Sequence, residues 1–182
     1  MEKKEKQKKL DKFFLETAVK AAEFSSCIRL KVGAVITKDN RIISTGWNGV
    51  SSGVPHCNEL NNELRLINDD SLYQIEDRKK HHIFSEQFEI HAEMNAILDM
   101  AKRGLSPEGA TLYTTIAPCT NCAKLVIVSG IKRIVYLKEY DRDNNKLDIE
   151  GKTLNDVLYN NLNGPQIIKV LSPNVIIEKF EE

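Results

Sequence analysis

Two short segments carry residue types that can bind a metal ion and move a proton. His91 and Glu93 stand in the triplet His-Ala-Glu, and Cys119 and Cys122 stand in the run Pro-Cys-Thr-Asn-Cys. One imidazole and two thiolates supply three zinc ligands, which leaves the fourth tetrahedral position open for a water molecule. Zinc lowers the pKa of such a water towards neutrality. Glu93 then remains free to carry protons, a task for which a purely structural zinc site has no use.

The combination of the two segments is more specific than either one alone. A C-x-x-C pair also occurs in zinc ribbons, in redox pairs and as two ordinary buried cysteines. The order H-x-E followed by P-C-x-x-C is the signature of zinc-dependent nucleobase deaminases. We therefore predict that His91, Cys119 and Cys122 bind zinc. Glu93 is predicted to move a proton from the attacking water to the ring nitrogen and then to help protonate the departing ammonia.

The hydrophobic pattern predicts the elements that position these residues. Apolar residues at helical spacing indicate helices, and runs rich in β-branched residues indicate strands. The predicted helices lie at 10–26, 91–103, 119–129 and 153–162, and the predicted strands lie at 31–37, 41–47, 110–116, 131–138 and 175–180. Both motifs thus fall at helix starts, where the helix dipole favours thiolates. Strands that alternate with helices predict an α/β sandwich whose far edge is mostly parallel.

The domain organisation is predicted to be simple. A chain of 182 residues is most simply one domain. Residues 56–88 have the weakest pattern, although Leu60, Leu64 and Ile67 favour a short helix and residues 68–71 favour a break. We therefore expect a single domain over residues 1–182, with an insertion-like segment at about 54–88.

Composition and charge exclude several classes of partner. The longest apolar runs are far shorter than the roughly 20 residues of a transmembrane helix, and the N-terminus lacks the apolar core of a signal peptide. We therefore expect a cytoplasmic protein without a membrane partner, in which four cysteines favour metal binding over disulfides. Lys plus Arg and Asp plus Glu number 26 each, so the formal net charge is zero. This balance favours a small-molecule substrate and argues against a polynucleotide partner.

Beyond the two motifs, the chain resembles the deoxycytidylate (dCMP) deaminases, particularly the phage-type enzymes. The matching segments lie in the same order at residues 31–36, 41–49, 89–97, 109–113 and 118–133. The resemblance implies the cytidine-deaminase fold, a three-layer sandwich with a mixed five-stranded sheet flanked by helices. It also implies a zinc ion between two helix starts and hydrolysis of dCMP to dUMP and ammonia, which feeds thymidylate synthesis.

The same resemblance implies further ligands and an assembly. Asn48 and the backbone N–H of Ala92 would contact the substrate. The enzyme would be a homo-oligomer, with a hexamer favoured, activated by dCTP with Mg²⁺ and inhibited by dTTP. The loop implied to hold the allosteric nucleotide contains Gly46, Asn48, Gly49 and Gly53. Taken from the sequence alone, this loop is better explained by an ordinary tight turn.

A second zinc site is a further hypothesis. Two cysteines, Cys27 and Cys57, lie outside the first motif, and the histidines that are candidates to complete a structural site with them are His56, His81 and His82. Some phage-type relatives carry such a site. The alternatives are two buried thiols and, for His81 and His82, an exposed helix end.

For the 5′-phosphate and for the wall of the substrate pocket, the sequence offers one candidate residue each. Lys31 is a candidate for the phosphate and Tyr140 for the wall of the substrate pocket, although a solvated lysine and a packing tyrosine explain them equally well. Free cytidine, a pterin-like base or an adenosine in tRNA are alternative substrates. A non-catalytic zinc-binding relative is a third alternative, against which the presence of Glu93 argues.

Overall fold

A computed structural model describes residues 3–57, 59, 75–140 and 148–181. The helices are α1 (Lys3–Ala22), α2 (Ile75–Phe88), α3 (Ala92–Lys102), α4 (Thr120–Val128), α5 (Leu154–Val157) and α6 (Gly164–Leu171). The strands are β1 (Gly33–Lys38), β2 (Arg41–Trp47), β3 (Gly49–Val50), β4 (Glu89–Ile90), β5 (Thr111–Ile116), β6 (Arg133–Lys138) and β7 (Ile176–Lys179). The short helix predicted from Leu60, Leu64 and Ile67 lies outside the described residues.

Five strands form one mixed sheet in the order β2-β1-β5-β6-β7. β1 runs antiparallel to both of its neighbours, whereas β5, β6 and β7 run parallel to one another. The predicted mixed sheet with a parallel far edge is therefore confirmed. A separate two-stranded ladder pairs Gly49 of β3 with Ile90 of β4. This ladder brings the loop after β2 beside the residue that precedes His91.

The strands predicted at 31–37 and 41–47 form an antiparallel hairpin, β1–β2. Asp39 and Asn40 connect the strands, and both have positive φ, at 52° and 60°. Two successive left-handed residues make a type I′ turn, whose twist matches that of the flanking strands. Asp and Asn tolerate this conformation better than other non-glycine residues, which explains why the turn forms here.

Alternation along the strands divides the core into two layers. Ala34 and Ile36 of β1 point into the cluster that contains Ala96 of α3 and Val126 of α4. The intervening Val35 points to the opposite face, where Phe14, Leu15 and Ala18 of α1 cover the sheet. Leu15 is 1% exposed, and burial of one such side chain contributes about 1.5–3 kcal/mol. The predicted three-layer sandwich is thus confirmed.

The C-terminal part of the chain differs from the prediction. The helix predicted at 153–162 is a single turn, α5, which starts from a capping box between Thr153 and Asp156. An unpredicted helix, α6, follows at once, and it packs against α4 and buries Ile168. Asn163 and Gln166 cap its start, with a proline in the first turn. These are recognised helix-start residues, so the signal for α6 was present in the sequence.

Helix α2 was also missed. It spans Ile75–Phe88, where the sequence is mostly polar and charged and shows no helical stripe of apolar residues. Within the described ranges, no helix combines the length and the apolar character that crossing a membrane requires.

Candidate active site

Two helix starts bring the residues of the H-x-E and C-x-x-C motifs together. His91 is the N-cap residue of α3, with φ −67° and ψ 155°, and Cys119 is the N-cap residue of α4. The Sγ atom of Cys119 accepts a hydrogen bond from the backbone N–H of Cys122 at 3.5 Å. This cap holds both sulfurs over the first turn of α4, on the side that faces α3.

The three predicted ligands, which we call site 1, have the spacing that zinc requires. His91 Nδ1 lies 3.5 Å from Cys119 Sγ and 3.4 Å from Cys122 Sγ. All three donor atoms lie within 4.8 Å of one another. Tetrahedral zinc, with bonds of about 2.3 Å to sulfur and about 2.0 Å to nitrogen, separates neighbouring ligand atoms by about 3.5 Å. Site 1 therefore fits a zinc ion in both donor type and spacing.

Charge in site 1 is shared between a sulfur and the imidazole. Hydrogen bonds from Cys122 and then from His91 lower the pKa of Cys119 to about 4. The neighbouring Cys119 in turn raises the pKa of His91 to about 9, against the opposing effect of burial. The site thus stabilises a thiolate without a metal, and a bound cation would take the place of the imidazole proton.

Glu93 lies in the first turn of α3, close to site 1. Its side chain is only 4% exposed. Burial raises the pKa of this carboxyl above its usual range, in spite of the opposing effect of a backbone hydrogen bond and of His91. A raised pKa suits a carboxyl that has to accept a proton and then donate it again.

A cavity of about 280 Å³ opens beside Glu93. Its volume is near the lower end of the range of small-molecule sites, about 300–1,000 Å³. Asn48, Ala92 and Tyr140, all predicted to contact the substrate, line this cavity, together with Glu93 and His91. Lys31, predicted as a phosphate ligand, is exposed and lies outside the lining.

The side chain of Asn48 holds the backbone at the cavity wall. Its Nδ2 donates to the carbonyl oxygen of Leu30 at 2.9 Å, and its Oδ1 accepts from the backbone N–H of Val32 at 2.8 Å. Asn48 is 6% exposed. These bonds give the residue a structural task in addition to the predicted substrate contact.

The loop predicted to bind an allosteric nucleotide has its own packing constraints. Gly46 presses against the backbone of α3 at Ala92 and Ala96, so that a Cβ atom at this position would collide with main-chain atoms. Gly53 adopts φ +85°, a conformation that favours glycine. Gly49 pairs with Ile90 in the small ladder. The fold alone therefore requires Gly46, and the nucleotide role of this loop stays a prediction.

A second group of metal-binding side chains, which we call site 2, forms on the other side of the cavity. It consists of Cys27, Cys57, His81 and Glu89, whose donor atoms all lie within 4.8 Å of one another. Cys27 Sγ lies 3.4 Å from His81 Nε2. Three of these residues were predicted candidates, whereas Glu89 was not.

The two other predicted histidines lie apart from site 2. His56 Nδ1 forms a hydrogen bond with Ser26 Oγ at 2.9 Å. His82 points away from its neighbour His81 and lies 3.8 Å from the carboxylate of Glu86, with about half of its side chain exposed. Since one residue separates two helix faces by about 100°, only one of the adjacent histidines can turn inward.

Site 2 contains a buried carboxylate oxygen that a cation would satisfy. Glu89 Oε1 and His81 Nδ1 are buried and have no hydrogen-bond partner among the described residues, whereas Glu89 Oε2 accepts from Ser85 Oγ at 2.7 Å. A buried carboxylate oxygen without a partner is costly unless an ion or a proton neutralises it. The hydrogen bond with Cys57 and burial both raise the pKa of Cys27, and the same hydrogen bond lowers the pKa of Cys57. Four donors of these types fit a closed zinc site.

Comparison with known proteins agrees with the fold and with site 1. Residues 8–138 match the family described as the cytidine and deoxycytidylate deaminase zinc-binding region. Over 150 residues the chain is 40% identical to deoxycytidylate deaminase of Enterobacteria phage T2, a match that covers 71% of this chain and 80% of that protein. It is 39% identical over 133 residues to deoxycytidylate deaminase of Mycobacterium phage D29, covering 71% of this chain and 94% of that protein.

A solved structure shares almost the whole length of the chain. The crystal structure of dCMP deaminase from the cyanophage S-TIM5 in complex with dCMP and dUMP superposes with a TM-score of 0.62 at 27% identity, and covers 98% of each chain. The family match includes His91, Glu93, Cys119 and Cys122 in the expected order. The chain therefore belongs to the cytidine and deoxycytidylate deaminase family.

Proposed function

We propose that this protein hydrolyses dCMP to dUMP and ammonia. The observation that carries the proposal is the buried carboxyl of Glu93 in a nucleotide-sized cavity beside three zinc-type ligands. The matches to phage proteins named deoxycytidylate deaminase, and to a structure that holds dCMP and dUMP, support this substrate over other bases. In this proposal dUMP becomes available for thymidylate synthesis.

The chemistry follows from the residues of the cavity. Zinc, held by His91, Cys119 and Cys122, would lower the pKa of a bound water. Glu93 accepts a proton from the attacking water and returns it to N3 of the pyrimidine. Glu93 then takes the second proton from the hydroxyl at C4 and passes it to the exocyclic amine, so that the C4–N bond breaks, ammonia leaves and the C4 oxygen remains as the carbonyl of the product.

Other residues of the cavity orient the pyrimidine in this proposal. The backbone N–H of Ala92 belongs to the first turn of α3, where amides lack intrahelical acceptors, and it is assigned to the pyrimidine carbonyl. Asn48 and Tyr140 form the walls of the cavity. Their contacts with the sugar and the base fix the distance between Glu93 and the reacting carbon.

We further propose that site 2 binds a structural zinc ion. Cys27, Cys57, His81 and Glu89 supply four donors, which fill the tetrahedral shell and leave no open position for water. The buried Oε1 of Glu89, which has no hydrogen-bond partner among the residues that the structure describes, supports this assignment. Each ligand comes from a different segment, so the ion would join the loop after α1, the turn after β3, helix α2 and strand β4.

Regulation and assembly complete the proposal. By resemblance to the family, the enzyme is a homo-oligomer, with a hexamer favoured, activated by dCTP with Mg²⁺ and inhibited by dTTP. The loop that carries Gly46, Asn48, Gly49 and Gly53 is the assigned nucleotide site. Its ladder with β4 connects it to His91 through a single residue, Ile90, and supports communication between the two places.

Ammonia release tests the proposal directly. The zinc-loaded protein is assayed with dCMP, deoxycytidine, CMP and tRNA side by side, each with and without dCTP and Mg²⁺. Turnover confined to dCMP and increased by dCTP supports both activity and regulation. Turnover of dCMP without an effect of dCTP removes the regulatory part alone. Absence of ammonia release from dCMP, together with turnover of another substrate, contradicts the substrate assignment.

A further inference from the structure

A three-residue connection carries Cys119 from the sheet to its helix. It runs from Ala117 to Cys119, between the end of β5 and the start of α4. At one end the backbone N–H of Ala117 donates to the carbonyl oxygen of Lys138 at 2.8 Å. At the other end the carbonyl oxygen of Cys119 accepts a helical hydrogen bond from the backbone N–H of Ala123, also at 2.8 Å. Because the connection is short and held at both ends, a displacement of its main chain also displaces the sulfur of Cys119.

Helix α6 lies against this connection at a glycine. Gly164, the first residue of α6, is buried. A Cβ atom at this position would overlap the carbonyl oxygen of Pro118, and it would lie 2.8 Å from the carbonyl carbon of the same residue and 3.0 Å from the carbonyl oxygen of Cys119. All three atoms belong to the main chain, so they cannot move aside as the end of a flexible side chain can. The start of α6 is therefore as close to the backbone of Cys119 as a glycine allows.

The backbone conformation of Gly164 does not itself require glycine. Gly164 is not one of the described glycines with positive φ, and alanine has the higher helix propensity. The following residue, Pro165, disfavours the helical conformation for a preceding residue that carries a Cβ atom. The contact with Pro118 and the effect of Pro165 are thus two separate reasons for a glycine here, and a Pro165→Ala background distinguishes them.

Helix α6 is fixed well enough to support the connection. Asn163 Oδ1 accepts from the backbone N–H of Gln166, and Gln166 Oε1 accepts from the backbone N–H of Asn163, both at 2.9 Å. Ile168 is 0% exposed and belongs to the same core cluster as Val126 of α4. The cap and the buried face together hold the start of α6 beside α4.

We propose that Gly164 is a positioning residue for site 1. Its lack of a side chain lets α6 support the backbone of Pro118 and Cys119, and this support fixes Cys119 Sγ at the distance from His91 that zinc binding requires. The inference rests on the proposed binding of zinc at site 1. It extends the machinery of the site to a helix that lies beyond residues 8–138, the part of the chain that matches the family.

Cobalt(II) reports on site 1 through the absorption of its bonds to thiolates. Metal-free protein is titrated with Co²⁺ in a Cys27→Ser, Cys57→Ser background, so that the thiolate-to-cobalt absorption comes from site 1, and the affinity for Zn²⁺ follows by competition. We expect Gly164→Ala to weaken metal binding about tenfold or more, because residues that orient metal ligands typically contribute about 10–100-fold to metal affinity. The absorption should also shift, since a displaced Cys119 changes the geometry around the ion. The same changes should occur when Gly164→Ala is added to Pro165→Ala.

Gly109→Ala is the matched control. Gly109 has φ +76°, and a Cβ atom there would meet no described atom within 4 Å apart from its chain neighbours. It lies before β5, at the opposite end of that strand from Cys119. Alanine at this position strains the backbone and lowers the unfolding temperature without contact with site 1. Its metal affinity and its cobalt spectrum should match those of the background protein.

A second variant keeps the inference testable if Gly164→Ala does not fold. Asn163→Ala removes the cap of α6 without adding an atom near Pro118, so that the start of the helix frays. We expect a smaller loss of metal affinity at site 1 than for Gly164→Ala. In the chain with all four cysteines, withdrawal of zinc by a chelator, followed through ammonia release from dCMP, should give the same order of variants.

The outcomes separate this inference from the proposed function. Weaker binding and a shifted cobalt spectrum in Gly164→Ala, with Gly109→Ala unchanged, support it. Gly164→Ala and Asn163→Ala proteins that unfold at a lower temperature but keep the metal affinity and the cobalt spectrum overturn it, because α6 then acts on stability alone. A loss that disappears in the Pro165→Ala background also overturns it, since the proline is then its cause. A wild type that binds the ion at site 1 but releases no ammonia from dCMP instead contradicts the proposed function and leaves the positioning of Cys119 in place.

Discussion

Sites 1 and 2 use similar side chains but differ in how many donors they assemble and in what stands beside them. Site 1 has three donors at two helix starts, with the buried carboxyl of Glu93 next to them. Site 2 has four donors and no further buried carboxyl among its described neighbours. Three ligands leave a coordination position for a reacting molecule, whereas four ligands close the shell. The number of donors, more than their identity, is therefore the basis on which we propose chemistry at site 1 and a structural role for site 2.

The two sites are linked through a short piece of chain. Glu89 of site 2 and His91 of site 1 are separated by one residue, Ile90, which pairs with Gly49 in the small ladder. Both sites also contribute side chains to the same cavity. If site 2 binds the proposed zinc ion, we expect this connection to hold the chain that leads to His91.

The largest expected effect comes from Glu93, the buried carboxyl that lies beside site 1. Glu93→Gln removes the proton carrier but keeps the size and the hydrogen-bonding capacity of the side chain. We expect kcat for dCMP to fall by about a thousandfold or more, since positioned acid–base groups contribute about 10²–10⁴-fold. Ammonia release and metal analysis check this together, and the zinc content should equal that of the wild type.

Glu16→Gln is the matched control, because Glu16 is an exposed carboxylate on α1. Its kinetics should be unchanged. If Glu93→Gln retained most of its turnover, or if it lost zinc in parallel with activity, the assignment of Glu93 as the proton carrier would fail.

A change in site 2 should act first on stability. Cys57 is 0% exposed, and Cys57→Ser removes one of four ligands with little change in size. If zinc is present at about a thousand times its Kd, binding stabilises the folded state by about 4 kcal/mol, which this variant would lose. We expect the zinc content to fall from two to one per chain and the unfolding temperature to drop, as measured by metal analysis and calorimetry.

The outcome that contradicts a structural ion at site 2 is also measurable. A wild type that binds one zinc per chain, or a Cys57→Ser protein with unchanged zinc content and unfolding temperature, leaves Cys27 and Cys57 as ordinary buried thiols.

The adjacent residues His81 and His82 allow a matched comparison, because the same substitution is made at two neighbouring positions. His81 is 3% exposed and belongs to site 2, whereas His82 faces solvent beside Glu86. We expect His81→Ala to lose the second zinc and His82→Ala to keep both ions, with metal content per chain as the measurement. Equal zinc content in the two variants would show that His81 is not a zinc ligand of site 2. His56→Ala should behave like His82→Ala, because its ring bonds Ser26.

The same contrast explains which parts of the molecule were predictable. His91, Cys119 and Cys122 were found because two local spacings at helix starts define them, and the strands were found because their β-branched runs are strong. Glu89 was missed because site 2 joins segments 62 residues apart, from Cys27 to Glu89, and no local spacing encodes such a set.

Tertiary packing also decided points that local patterns left open. His81 and His82 are neighbours of the same type, and only the packing of α2 determines which one turns inward. Helix α5 ends at Val157 after one turn, and the capping box of α6 begins at Asn163, inside no predicted element.

A buried ion pair that belongs to neither site provides the smallest and most specific test of the comparison. Arg133 of β6 donates to both carboxylate oxygens of Asp11 at 2.7 Å, and Tyr113 Oη also donates to Asp11, at 2.8 Å. This cluster ties α1 to the sheet. Asp11→Asn should lower the free energy of unfolding by about 2 kcal/mol at pH 7, since a hydrogen bond to a charged group contributes about 1.5–3 kcal/mol. Zinc content and kcat should not change, which distinguishes this loss from that of Cys57→Ser.

The pH dependence of that loss has a defined sign. Burial alone raises the pKa of Asp11, but the hydrogen bonds from Arg133, Gln7 and Tyr113 outweigh it and hold the pKa below its ordinary value. The stabilisation is therefore present above the ordinary carboxyl pKa of about 3.9 and is lost as the pH falls through the lowered pKa of the folded state. Urea unfolding at several pH values should show the wild type and Asp11→Asn converging below about pH 4. A gap that stays constant into acid would mean that Asp11 contributes through packing and neutral hydrogen bonds, because only an ionised partner produces this convergence.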